Sequence, residues 1–369
     1  MPSTVFFTDL SASFKENLVG KLGRLVQAAG LDDVVEKRDL AAVKLHFGEL
    51  GNTAYIRPVY LRKIVDLVKA SGASPFLADA NTLYAGSRSE APQHLETAIY
   101  NGFAYSVVGA PLIIADGLRG KSEVAVEINQ KRFKEVYIAA ELARADAIIS
   151  VAHFKGHELS GFGGAIKNMG MGCASRKGKL AQHSTVSPKV KAKTCVGCGD
   201  CEGHCAFGAI ALNEDDKAFI NSEKCAGCGE CILVCPTGSV KIQWDQAVPV
   251  FLENMVEYTL GVIKGKEKKT LYVNFITDVS PACDCVPYND APMVRDIGIL
   301  ASKDPVAIDQ ACVDMVNREH ALPNSCLKEN REPGGDKFKS VYPHVDWEIQ
   351  LEYAEALGLG TRDYAIEKI

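Results

Sequence analysis

One cysteine pattern occurs twice in this chain, as CVGCGDCEGHC from Cys195 and as CAGCGECILVC from Cys225. Each copy spaces three cysteines by two residues and adds a fourth after three more. Three thiols this close reach one centre only where the backbone coils tightly around it. Gly197, Gly199, Gly227 and Gly229 supply the backbone freedom that such coils require. Tetrahedral zinc prefers C-x2-C pairs separated by a loop, and two triplet-plus-one runs suit it poorly. The chain starts MPSTVFFTDL, without a basic segment followed by a long apolar run, so no secretory signal is expected. Thirteen cysteines without such a signal point to a reducing compartment and to metal ligation rather than a disulfide framework.

The spacing C-x2-C-x2-C-x3-C is the bacterial ferredoxin run for [4Fe–4S] clusters, in which the fourth cysteine of each run serves the other cluster. This assigns Cys195, Cys198, Cys201 and Cys235 to one cluster. Cys225, Cys228, Cys231 and Cys205 then serve the second. The repeat continues past the ligands, with GAIAL after Cys205 matching GSVKI after Cys235. Pro236 follows the last cysteine, whereas Ala206 fills the equivalent place in the first half, which loosens a turn but removes no ligand. The expectation is a small inserted α+β ferredoxin-like module at residues 190–243, held together largely by its metal bonds. Paired clusters imply one-electron transfer rather than hydrolysis. Cys195 to Asp245 carries eight acidic residues and three lysines, so the whole net charge of −5 resides there. Such a surface suits a basic redox partner protein, although a solvated acidic face is the plain alternative.

Around this module the chain reads as α/β. Of its 369 residues 47% are hydrophobic and 24% charged, ordinary values for a soluble globular protein of about two domains. No stretch approaches the ~18 consecutive apolar residues of a membrane span. The small net charge does not suggest nucleic acid or membrane, and a cytoplasmic location is expected. Strand-length apolar runs at 39–48, 74–81, 110–116, 145–154 and 270–281 alternate with helical patterns at 57–72, 136–144 and 250–265. Asp304 and Pro305 mark another helix start, and a last helix is expected near 347–357. This alternation predicts a largely parallel sheet flanked by helices. Residues 1–189 and 244–369 form the two parts of that domain.

The densest chemistry outside the cysteine runs is SVAHFKGHELSGFGGAIKNMGMGCASRKGKLAQH, Ser150 to His183. It leaves a strand end, where open α/β sheets bind ligands. Gly163 and Gly164 permit close backbone approach, while Lys155, Lys167, Asn168 and Arg176 offer donors to a phosphate or carboxylate. His157 and His183 are candidates for proton transfer, and Cys173 for a nucleophile. Cys173 reads equally well as a small buried hydrophobe, and His153 as a core histidine. Lys177, Lys179 and the lysines at 189, 191 and 193 read as a solvated approach to the module. Lys44, His46, Asn52 and Asp79 lie at other strand ends and are expected on the same edge. Cys283 and Cys285 also follow a strand, as a metal or redox pair.

These stretches, KLHFGELGNTAYIRP, DANTLY, HFKGHELSGFGGAIKNMGMGCASRKGKLAQH and DIGILASKDPVAIDQACVD, resemble the domain-of-unknown-function family 362 across roughly residues 40–320. The resemblance implies an iron–sulfur cluster-binding protein and leaves the activity open. GGAIKNMGMG is also similar to a Gly-Gly-x-Lys loop of the nickel-dependent lactate racemase family, which helps hold a nickel-pincer nucleotide. Extra sequence between Gly164 and Lys167 departs from that loop, so nickel is not carried over.

Two functions follow as expectations. In the first, an oxidoreductase passes electrons from the clusters to a small anionic molecule held at 153–183. In the second, the chain is an electron carrier or iron–sulfur subunit whose α/β domain docks a partner.

Overall fold

Segments such as LAAVK and AIISVAH are apolar at odd and even positions alike, so strands built from them need cover on both faces. The computed structural model, which describes residues 2–184, 187–243 and 247–369, provides that cover with one sheet between two helical layers. Its strands are β1 Ser3–Asp9, β2 Leu40–Lys44, β3 Ser74–Asp79, β4 Leu112–Ile114, β5 Ala147–His153, β6 Thr270–Ile276, β7 Gly298–Ser302 and β8 Tyr364–Lys368. They lie in the order β8-β1-β7-β6-β5-β2-β3-β4. Only β7 is reversed, pairing antiparallel with β1 and β6; the other pairs are parallel. The architecture is the largely parallel α/β sheet that the alternation predicts.

Helices α1 Leu18–Ala28, α2 Pro58–Ala70 and α3 Ala91–Tyr100 pack on the face that carries Val43, Ile149 and Val273. Behind Ala42, Ile148 and Tyr272 stand α4 Ala165–Gly170, α6 Val248–Ile263, α7 Pro305–Asn317 and α8 Glu348–Ala356, with α5 Arg176–His183 beside them. Local chemistry sets the helix ends. Pro58 occupies the first turn of α2, and Gly72, with φ +82°, ends it. At α7 the Asp304 carboxylate accepts from the Val306 and Ala307 N–H groups, both at 2.9 Å.

Two local readings change. Residues 135–139 form a strand paired with Glu123–Glu127 before a short helix Ala140–Arg144, where the sequence suggested helix throughout. Val136 and Ile138 are buried with a period of two, which satisfies a hairpin better than a helix. The edge strand β8 and its neighbour β1 are not visible in the periodicity; β8 is mostly exposed.

Segment 187–243 builds no strand of the main sheet. It has two ladders of its own, Lys189–Val190 with Val240–Lys241 and Ile210–Leu212 with Ala218–Ile220, and two short helices, Asp200–Gly203 and Glu230–Val234. Its cysteine repeat is also a conformational repeat. Gly197 and Gly227 have φ of 68° and 70°, and Gly199 and Gly229 have 78° and 71°. The expected boundary at residue 244 lies outside the described residues. Among the described residues no helix is long and apolar enough to cross a membrane.

Helix α4 seats its Gly170 directly on the Met255 carbonyl of α6, leaving no room for a Cβ. Gly170→Ala is therefore expected to lower unfolding free energy by about 1–3 kcal/mol, read as a lower denaturant midpoint at unchanged slope.

Candidate functional site

Parallel strands deliver their C-terminal loops to a common edge. The loops after β2, β3, β5 and β6 meet there around a cavity of about 650 Å³, a volume ordinary for a small-molecule site. Its wall includes Lys44, His46, Asp79, Lys155, His157, Gly164, Lys167, Asn168 and His183, so most of the expected site residues do converge. Leu50, Leu83, Leu159, Met171 and Phe251 give the same wall an apolar part.

A buried charge cluster forms the floor. Asp79, only 3% exposed, takes Lys44 Nζ at 3.1 Å, Arg88 at 3.5 Å and His94 at 3.5 Å. Burial opposes its charge, yet Lys44 and the His94 ring beside it outweigh that cost and hold the carboxyl well below its usual range. Arg88 also pairs with Glu49 at 3.2 Å. A second buried carboxylate, Asp284, accepts from His153 Nδ1 at 2.8 Å and lies 3.5 Å from Lys155 Nζ. His153 Nε2 faces the Thr277 carbonyl at 2.8 Å, so the ring fastens the loop after β6 to the end of β5.

Two lysines stand apart from these pairs. Among the described residues neither Lys167 nor Lys179 forms an ion pair with a carboxylate. Lys167 Nζ contacts Cys283 Sγ at 3.6 Å, and Lys179 Nζ donates to the Ala174 carbonyl at 2.7 Å. Burial lowers the Lys179 ammonium to about 8, against the pull of Asp116 and Asp79. Lys179 had read as solvated; it is 7% exposed and lines the cavity, because α5 turns this side inward. Lys177, two positions earlier, instead lies over the Tyr137 ring at 3.4 Å.

Burial holds three of the lining histidines, His46, His157 and His183, in the neutral form. Burial, reinforced by Arg88, takes His46 well below its usual value. Burial followed by Lys167 and Lys155 does the same to His157. His183 stacks on Phe251 with centroids 4.8 Å apart, and burial, then Lys167, lowers it to about 3.

Asn168 accepts from Lys44 Nζ at 3.1 Å and donates to Ser150 Oγ at 2.9 Å, linking α4 to the strand ends. Gly164 is required by Asp309, whose carboxylate occupies the place of a Cβ and accepts from the Ala165 and Ile166 N–H groups at 2.7 and 3.0 Å. Burial raises Asp309 to about 6.

Three expected site residues, and one glycine, have other positions. Arg176 is fully buried away from the cavity, donating to the Thr82, Arg119 and Ser89 carbonyls and lying 3.6 Å from Glu230. Cys173 is a core thiol, raised to about 11 by burial. Asn52 ties two loops together by donating to the Val286 and Tyr288 carbonyls at 3.3 and 2.9 Å. Gly163 sits behind the wall against Lys167 and Lys155. Glu49, Arg88, His94, Lys179 and Asp309 were missed; around Asp309 the sequence gave only the helix start at Asp304 and Pro305.

The cysteine repeat lines two smaller cavities. Cys195, Cys198, Cys201 and Cys235 surround one, and Cys205, Cys225, Cys228 and Cys231 the other. Backbone N–H groups donate to the fourth sulfur of each run, Ala209 to Cys205 at 3.3 Å and Ser239 to Cys235 at 3.1 Å. None of the thirteen cysteines forms a disulfide. In the last run Glu230 is buried and meets Arg119 at 3.0 Å, Lys121 at 3.3 Å and Arg176 at 3.6 Å, which clamps this half of the module to the α/β domain.

His183 gives the site a testable pH signature. An unfolded histidine takes a proton near pH 6.5, whereas the folded ring refuses it down to about 3. Its contribution to stability is thus complete above about pH 6.5 and is lost as pH falls, by about 1.4 kcal/mol per pH unit. Denaturant midpoints of His183→Gln should depend less on pH than those of the parent chain between roughly pH 6.5 and 4.

A family model described as "Domain of unknown function (DUF362)" matches residues 41–314. No curated protein matches the chain. Among solved structures, the lactate racemase apoprotein from Thermoanaerobacterium thermosaccharolyticum is similar at 12% identity with a TM-score of 0.36. That likeness covers 74% of this chain and 51% of the racemase, so the chain spans about half the length of that protein. The match over 41–314 includes every strand end around the cavity and both cysteine runs, and on that extent the chain belongs to the domain-of-unknown-function family DUF362.

Proposed function

We propose that this chain is an iron–sulfur electron-transfer protein, an oxidoreductase that binds a small anionic molecule in the cavity at the strand ends. The carrying observation is Leu83. Its side chain lines the large cavity and also packs against Gly229, between Cys228 and Cys231. Leu83 and Leu180 share one apolar cluster with Cys201 and Cys231. One side chain therefore separates the ligand cavity from the second cysteine quartet, a spacing suited to electron exchange between them.

The quartets fit [4Fe–4S] clusters by three features: four thiols around each cavity, left-handed glycines in each coil, and N–H groups aimed at sulfur. The thirty-residue repeat crosses over in space as two-cluster modules do. Clusters held there supply one-electron steps. Lys167 and Lys179 hold an anion, since no carboxylate pairs with either among the described residues, and the apolar wall accommodates its body. His157 and His183 are held neutral by burial, so near pH 7 they offer hydrogen bonds to a bound molecule rather than take its proton. The acidic module is the proposed face for a basic redox partner.

Anaerobically prepared, reconstituted protein should hold about eight iron and eight sulfide per chain, with Cys198→Ala and Cys228→Ala each falling to about four. Iron far below that level in the parent chain would end the cluster reading. Lys167→Ala combined with Lys179→Ala should keep the iron but lose any co-purifying anion in native mass spectrometry. Undiminished retention would remove the anion site.

A further inference from the structure

The loop after β6 carries two thiols that the cluster reading does not use. Cys283 and Cys285 flank Asp284, whose carboxylate is held by His153 and Lys155. The loop is fastened on several sides. Glu49 N–H donates to the Asp284 carbonyl at 2.9 Å, Gly156 N–H to the Ser280 carbonyl at 2.8 Å, and Tyr84 Oη to the Cys285 carbonyl at 2.8 Å. Gly156 lies so close to Pro281 that no Cβ would fit between them. With the loop held and Asp284 anchored, both sulfurs come together with the ring of His157. The ligand atoms of His157, Cys283 and Cys285 all lie within 4.8 Å of one another.

We propose that His157, Cys283 and Cys285 form a mononuclear site for a thiophilic divalent metal ion of the zinc class, with its open position turned to the cavity. The donor set favours such an ion: two sulfurs and one imidazole select borderline-soft metals over magnesium or calcium. Three protein ligands leave the fourth position of a tetrahedral ion for an exogenous ligand. His157 and Cys285 both line the cavity, so that position faces the space where a small anion fits. Lys167 Nζ, 3.6 Å from Cys283 Sγ, favours the thiolate that a metal requires.

The imidazole is also held in place. Ser160 Oγ donates to the Phe162 carbonyl at 2.7 Å and lies 3.0 Å from His157 Nδ1, which accepts from the Leu159 and Ser160 N–H groups, both at 3.2 Å. The neutral ring therefore carries its proton on Nε2, and a metal taking that nitrogen displaces it. The strand Lys155–His157, paired with Gly161–Gly163, holds the ring in place. None of these residues belongs to the cysteine runs. The site therefore stands or falls independently of the clusters.

The test uses full-length protein prepared without oxygen, with zinc as the probe and iron counted in the same sample. Added zinc should occupy about one site per chain, and its X-ray absorption edge should show sulfur and nitrogen neighbours. Zinc should also slow alkylation of Cys283 and Cys285 about tenfold or more, read peptide by peptide so that the cluster cysteines are counted separately. Cys285→Ser should lose the zinc and retain the iron. Equal alkylation with and without zinc would overturn the site, as would zinc bound without sulfur. A Cys283–Cys285 disulfide in the oxygen-free protein would overturn it in favour of a redox dithiol. A shortfall in iron would instead count against the clusters alone.

Discussion

Asp79 is the constraint around which the site is arranged. A carboxylate at the end of a buried parallel strand is costly unless cations surround it. Lys44 from β2, Arg88 from the loop after β3 and His94 from α3 all reach it. Lys44 also reaches Asn168 at the third residue position of α4 before its end, and Arg88 reaches Glu49. Strand β2 with the loop after it, the loop after β3 and helices α3 and α4 are thereby tied to one buried charge, and their mutual geometry depends on it. Asp284 does the same for the β6 loop through His153 and Lys155. The polar groups of the floor are thus consumed in pairs, whereas Lys167 and Lys179 have no carboxylate ion pair among the described residues.

The module at 187–243 is attached by a different balance. Its own apolar contacts are few, and two of the residues in its cluster, Leu83 and Leu180, come from the α/β domain. Glu230 adds charge to this contact, buried at 3% exposure among Arg119, Lys121 and Arg176. A buried acid with several cationic partners fixes orientation more than it adds stability. This explains why Arg176, although rich in donors, is unavailable to a ligand. It holds the second cysteine quartet against the wall of the cavity.

Much of the sheet was legible because its strands are buried on both faces and its helices carry local stop and start signals. Pro58 and Gly72 bounded α2, and Asp304 with Pro305 opened α7. The hairpin strand Glu135–Ala139 was misread because its Val136 and Ile138 precede a helical turn, which blurs the two periods. Lys177 and Lys179 show the corresponding limit for the site. Both belong to one basic stretch, yet α5 turns Lys179 into the cavity and Lys177 onto Tyr137. Only the packing of that helix distinguishes them.

By itself the sequence determined the cysteine repeat, the alternation of strands and helices, and hence the edge at which chemistry gathers. Those properties are local, since spacing, periodicity and capping act over a few residues. Tertiary structure alone decided which donors are spent and which face the cavity. It brought His157 to Cys283 and Cys285 and placed Leu83 between cavity and cysteines. Such meetings join segments more than a hundred residues apart, and they follow from sheet order and loop closure, which no short window of sequence encodes.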